Sequence, residues 1–238
     1  MKICSNIIAF AGIATIASFA SAASTISVKY LGAGAGQSVT MTLNGHSSNV
    51  FAGQLKHQLS NAASGYEWLN GTHLTYCTDL TQHVTSTTKT YTVEQVENMP
   101  GSSPMGLSKA DAIRGLFAVA NGAQASIAAS NDYATAFQLA IWEIVTDGAG
   151  ASITAANFTT GNFKAKKTNG NALSSSVVNT AASLYNSARA FVQAHSTTDQ
   201  ILGLASGSYQ DQLVQVPTPG AAALAGIGGV LVASRRRR

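Results

Sequence analysis

Ala136-Phe137-Gln138-Leu139-Ala140-Ile141-Trp142-Glu143-Ile144 is the stretch on which the rest of the chain turns, read together with Tyr76-Cys77-Thr78, whose cysteine stands 61 residues before Gln138. A helix from about Asp132 to Val145 lays Tyr133, Phe137, Ala140, Ile141 and Ile144 on one core-facing stripe. Gln138 falls just off that stripe and, four residues before Trp142, directly beneath the indole. Thr135, Glu143 and Leu139 are the positions left to meet solvent. An unpaired buried amide costs about 1–3 kcal/mol, so a glutamine here needs partners or a chemical use. The plain alternative is a satisfied structural amide.

The motifs Tyr76-Cys77, with Asp79 two residues after the cysteine, and Phe137-Gln138-Leu139-Ala140-Ile141-Trp142-Glu143-Ile144 resemble those of bacterial surface thioester domains. In that family an aromatic-Cys strand and a Gln-x-Ala-Ile-Trp helix supply a buried internal thioester that an amine on a partner opens. The resemblance implies that Cys77 gives the sulfur and Gln138 the acyl carbon, with Tyr76, Phe137 and Trp142 excluding water. The residue before the glutamine, often Thr in that family, is Phe137 here. His73, Asp79 and Glu143 are candidates for activating the nucleophile. The implied activity is single-use covalent attachment to an amine-bearing surface or matrix ligand, adhesin-like, without turnover and without cofactor. A non-covalent surface or biofilm-matrix module, with a free Cys77 thiol, is the alternative from another class.

At 238 residues, 45% hydrophobic and 10% charged, the chain has the size of one well-buried domain with processed ends. Its formal charge of +4 comes from the termini: without Lys2 and Arg235 to Arg238, nine bases face ten acids. Nucleic acid is therefore not an expected partner. Met1-Lys2, the apolar run from Ile7 to Ile13 and Ala20-Ser21-Ala22 read as a secretory signal over 1–22. Its removal takes Cys4 and leaves Cys77 alone in a compartment where thiols are normally paired.

The remaining body, 23–215, changes character twice. Ile26 to Tyr30, Ser38 to Leu43, Val50 to Leu55, His73 to Leu80 and Thr88 to Val93 read as strands, with Asn44-Gly45 a hairpin turn and the glycine run Gly32 to Gly36 a flexible turn. Alternation puts Cys77 with His73, Thr75 and Asp79, away from Tyr76. Ser108 to Asp111 reads as a capping box opening a helix with Ile113, Leu116, Phe117 and Ala120 buried and Gly122 at its end. Asp147-Gly148 stops the Gln138 helix. Lys164, Lys166 and Lys167 read as a solvated loop, and Ser174 or Ser175 caps a third helix to about His195 with Val177, Ala181, Leu184, Ala188, Phe191 and Val192 inward. Gln200 to Leu204 and Gln212 to Val216 read as a closing strand pair. The fold class expected is α+β: an antiparallel β-sandwich or barrel-like subdomain with an inserted helical subdomain.

The tail, 216–238, holds Val216-Pro217-Thr218-Pro219-Gly220, an apolar run and Arg235-Arg236-Arg237-Arg238. It resembles the tripartite PEP-CTERM sorting signal, with Thr218 in place of the name-giving glutamate. That resemblance implies an exosortase-type membrane enzyme as processing partner and the cell surface or extracellular matrix as destination. The apolar run falls short of the roughly 20 residues needed to span a bilayer, which fits transient rather than permanent membrane anchoring. Two other chemistries are weaker. A Cys-His hydrolase would need His73 or His83 beside Cys77 in space. Metal binding lacks His-x-x-x-His or Cys-x-x-Cys spacing.

Overall fold

The computed structural model describes residues 23–120, 130–148, 150–195 and 201–216. The signal segment 1–22, Gly122 and the sorting-signal residues Pro217, Pro219 and Arg235 to Arg238 lie outside the described residues. Those that are described form an α+β structure: a seven-stranded antiparallel sheet and three helices.

Strand β1 (Thr25–Leu43) and strand β2 (His46–Ser60) make one long hairpin. Its turn is Asn44-Gly45, with φ of 49° and 86°, the left-handed pair that an Asn-Gly hairpin turn supplies. The expected flexible turn at Gly32 to Gly36 is instead part of β1. Register shifts between Tyr30 and Gly32 and between Ala33 and Gly36 show bulges that bend the ribbon without ending it. Gly36 faces Gly53 across the hairpin, and a Cβ on Gly53 would come within 2.3 Å of the Ala35 carbonyl. Glycine there records a close backbone approach, which from composition alone looks the same as a loop.

Strands β3 (Gly71–Cys77), β4 (Lys89–Glu94), β6 (Ile201–Ala205) and β7 (Gln212–Gln215) complete a ring in the order β1, β2, β3, β7, β6, β4 and back to β1. Six strands thus close into a barrel. Ile26, Val28, Leu59, Tyr91, Val93, Leu202, Leu204 and Val214 fill it. The closing pair expected near the C-terminus does rejoin the early strands: β7 pairs with β3, and β6 with β4.

Between β4 and β6 the chain inserts helices α1 (Gly106–Val119), α2 (Asn131–Asp147) and α3 (Ser175–Ala194), with strand β5 (Phe163–Lys167) between the last two. Strand β5 pairs with the outer half of β1, Val39 to Leu43. This corrects the loop expected at Lys164, Lys166 and Lys167: Phe163 and Ala165 are buried and Lys164 and Lys166 exposed, a two-residue alternation that ends at the exposed Lys167.

The capping box expected at Ser108 to Asp111 does not form either. Helix α1 begins at Gly106 with no side-chain cap, while Asp111 accepts a 3.0 Å hydrogen bond from Arg114, whose other nitrogen donates to Glu97 at 2.6 Å. The charged partner wins the carboxylate from the backbone. Helix α2 starts as a capped helix should, with the Ser130 side chain accepting from the Tyr133 N–H, and stops at Gly148, φ 101°.

Every residue of α2 from Ala134 to Ile144 is buried. Thr135, Leu139 and Glu143, expected at the surface, are 0%, 0% and 3% exposed. The reason is tertiary: α2 lies between the hairpin on one side and α3 on the other, so no face is left for water. Helices α1 and α3 cross where Gly115 meets the Ala188 carbonyl, 2.7 Å from where a Cβ would stand.

Candidate functional site

Cys77 ends β3. Along β3, Thr75 is in register with Leu55 of β2 on one side and with Val214 of β7 on the other. The β2 pairing stops there. Three residues on, the Thr78 N–H bonds to the Asp211 carbonyl on the β7 side, so the N–H and C=O of Cys77 turn toward the side that β2 has left. A side chain from α2 takes the missing strand's place. Gln138 accepts the Cys77 N–H on Oε1 at 3.1 Å and donates from Nε2 to the Cys77 carbonyl at 2.8 Å.

This brings together the two residues that the sequence sets 61 positions apart. Gln138 and Cys77 are 0% and 1% exposed. Trp142, one helical turn beyond Gln138, turns its indole N–H toward the Cys77 sulfur without completing a regular hydrogen bond. One face of α2 thus addresses both the backbone and the thiol of the same residue.

The three aromatic residues expected to exclude water all lie in the core. Tyr76, Phe137 and Trp142 are buried, with Tyr76 and Phe137 rings 4.7 Å apart and Trp142 edge-on to Phe163 at 5.9 Å. Phe117 of α1 completes an aromatic trio with Phe137, at 4.9 Å, and Tyr76, at 6.3 Å. Its helical stripe marks it as core; nothing in the chain marks it as part of this wall.

No family model, curated protein or solved structure matches this chain.

Burial pushes the Cys77 thiol up to about 12, with the Asp79 carboxylate adding to the rise and the Trp142 N–H and a backbone hydrogen bond opposing it. At neutral pH the sulfur is a protonated thiol, unlike the activated thiolate of a cysteine hydrolase. His73 stands four residues earlier on the same strand, roughly 13 Å away at the ordinary rise, and burial lowers its pKa. His83 is exposed in a loop. Among the described residues no group of three His, Cys, Asp or Glu side chains is placed to hold a metal ion.

The three candidate activators separate by position. His73 pairs in register with His57 inside the barrel strands. Glu143 lies five residues beyond Gln138, toward the side of α2 where Tyr185 of α3 and Asp147 stand. Asp79 comes two residues after Cys77, near enough for its carboxylate to raise the pKa of the thiol. Of the three, Asp79 is the one whose charge acts on the Cys77 thiol.

Glu143 has its own consequence. Its Oε2 is buried without a partner, and burial, reinforced by Asp147, pushes the carboxyl up to about 7. The fold therefore prefers the protonated form. The penalty is absent below about 4.5, grows as pH rises from there to about 7, and then levels off. Glu143→Gln is expected to remove that decline and to exceed the wild type in stability at alkaline pH by about 1–3 kcal/mol, read from urea midpoints across pH.

A second buried string that sequence reading missed runs through the barrel. His57 Nδ1 meets Thr75 Oγ1 at 2.9 Å, Thr75 donates to Gln212 Oε1 at 2.9 Å, and Gln212 reaches the Gln210 carbonyl at 3.1 Å. Burial holds His57 down to about 4, so it is neutral at physiological pH. These groups satisfy one another, as buried polar groups must.

Proposed function

We propose that this chain is an exported surface or matrix protein whose Cys77 and Gln138 form an internal thioester for covalent capture of an amine-bearing partner. The single observation behind this reading is the paired hydrogen bonding of the Gln138 carboxamide to the backbone of Cys77. The Cys77 N–H on Oε1 draws electron density from the carboxamide carbon, as an oxyanion-hole donor does. The sulfur of the same residue is the nucleophile. Addition of the Cys77 S–H to Cδ and cleavage of the C–N bond release ammonia, which leaves with the thiol proton. A partner amine then adds to Cδ, the C–S bond breaks, and sulfur takes up a proton. The product is an amide at Gln138 and a free thiol. Nothing is regenerated, so the protein acts once and not as an enzyme.

Export and sorting belong to the same proposal. The signal at 1–22 would deliver the domain across the membrane, and the segment 216–238 would hold it there transiently for an exosortase-type enzyme. Intact mass of the exported protein tests the central claim. A chain lighter by one ammonia, resistant to thiol alkylation and restored to full mass in Cys77→Ala apart from the substitution itself, is the expected result. A full-mass chain that alkylates at Cys77 once unfolded overturns it.

A second reading has its own support: the two hydrogen bonds at 3.1 and 2.8 Å also satisfy Gln138 as a purely structural amide replacing a strand. In that case the protein is a non-covalent matrix or surface module. The same mass measurement separates the two.

A further inference from the structure

One end of the barrel gathers the start of β1, β3 and β6 and the finish of β2, β4 and β7: Thr25 faces Thr92 there, Leu59 faces Gly71, and Ile201 faces Gln215. The segment between β2 and β3 closes that end. Its 3-10 turn, Glu67–Leu69, sends Leu69 into the barrel, 0% exposed, while the neighbouring Trp68 stays 41% exposed. From Asn61 to Asn70 the segment carries a single charged side chain, Glu67, whose carboxylate accepts from the Gly65 N–H at 2.8 Å.

A lone apolar side chain on a surface is ordinary. The position of this one gives it a meaning. Strand β7 runs antiparallel to β3, with Val214 facing Thr75, so at Val216 the chain is leaving toward Gly71 and the turn that carries Trp68. The apolar run begins at Ala221, five residues after Val216, and five residues reach at most about 18 Å when fully extended. That run, Ala221 to Ala233, is shorter than the roughly 20 residues a bilayer core takes up, so seating it draws its flanks into the two interfaces. A chain held by this segment has no slack with which to lift its Trp68 end clear of the headgroups. Tryptophan suits that layer, with an apolar ring for the acyl boundary and an N–H for the wet side. A single ring binds a bilayer weakly from solution, but a short tether keeps it at high local concentration.

We infer that the closed end of the barrel rests on the lipid surface while the C-terminal segment is in the membrane, with the Trp68 indole in the headgroup layer. The consequence for the site is one of direction. Strand β3 begins at Gly71, beside the membrane end, and finishes at Cys77, about 20 Å farther along at the ordinary rise. The Cys77–Gln138 pair is therefore presented away from the bilayer, on the side from which a foreign surface approaches.

This inference rests on the reading of the tail as a membrane anchor and is independent of the thioester. The exported chain that keeps 217–238 is reconstituted into phosphatidylcholine vesicles: flotation reads insertion, and lipids brominated near the top of their acyl chains quench a tryptophan at the interface. The other tryptophan, Trp142, is 1% exposed and stays out of reach. The wild type is expected to float and to lose emission in brominated vesicles, and Trp68→Phe to float and lose none. A floating wild type with equal emission in plain and brominated vesicles leaves the turn to some other partner and overturns the proposal. Direction is read by placing His46→Trp, on the exposed turn at the far end of the β1–β2 hairpin, in the Trp68→Phe chain. Unchanged emission supports the orientation, and quenching there overturns it. A wild-type chain that does not float removes the membrane anchor itself, and the contact falls with it.

Discussion

Gln138→Ala is expected to be less stable than the uncross-linked Cys77→Ala chain by about 2–6 kcal/mol, because it leaves both the N–H and the C=O of Cys77 buried without partners. The two reference points are Cys77→Ser and Cys77→Ala, which keep those backbone bonds. In a purely non-covalent structure these cysteine variants lose only local packing, about 1–2 kcal/mol. With a thioester they also lose a cross-link that closes a loop between residues 77 and 138, and a closure of that length contributes about 4 kcal/mol by the chain-entropy argument used for disulfides. Urea midpoints at constant m-value for the three variants therefore report the covalent bond independently of mass. A Cys77→Ala protein as stable as wild type would mean that no cross-link exists.

Trp142→Ala carries the second large effect. The indole is 1% exposed and packs edge-on to Phe163, and removing such a side chain costs about 3–5 kcal/mol. It also opens the space in front of the sulfur. Wild-type thioester is expected to survive storage, whereas the Trp142→Ala thioester hydrolyses, seen as a gain of one water over the thioester mass and a newly alkylatable Cys77. A Trp142→Ala chain whose thioester is as long-lived as the wild type's would remove the indole from the shielding wall. Trp142→Phe, which keeps the packing and removes the N–H, separates the two roles: it is expected to retain most of the stability.

Much of this arrangement can be read from the chain. The Asn44-Gly45 turn, the strand carrying Tyr76 and Cys77, the Gln138 helix and the closing strands all have local signatures, and local signatures survive folding. Closure of the barrel does not, because it depends on β1 pairing with both β2 and β4, a relation between distant segments. Gly32 to Gly36 misleads because glycine serves a bulge and a turn equally well. Strand β5 was present in the alternation of Phe163, Lys164, Ala165 and Lys166, but three lysines and glycine-rich neighbours outweigh a period of two over so few residues. The surface face assigned to α2 fails for a different reason. An apolar helix looks half-exposed until the element covering it, α3, is known. At the site, the Cys77–Gln138 pair is legible through its motifs, whereas the sorting of His73, Asp79 and Glu143 is purely spatial. Phe117 carries no signal at all until the strands and helices are assembled.

Closing the six strands has a consequence for any protein packed densely among its own copies. Unsatisfied strand edges invite neighbouring molecules to add on and polymerise, the hazard of any dense β-rich layer. Around the ring each strand already has two neighbours. Strand β5, which ends the seven-strand order, carries the exposed Lys164, Lys166 and Lys167, so a second copy approaching it edge-on would set like charges against each other. Molecules built this way can stand shoulder to shoulder and remain individuals.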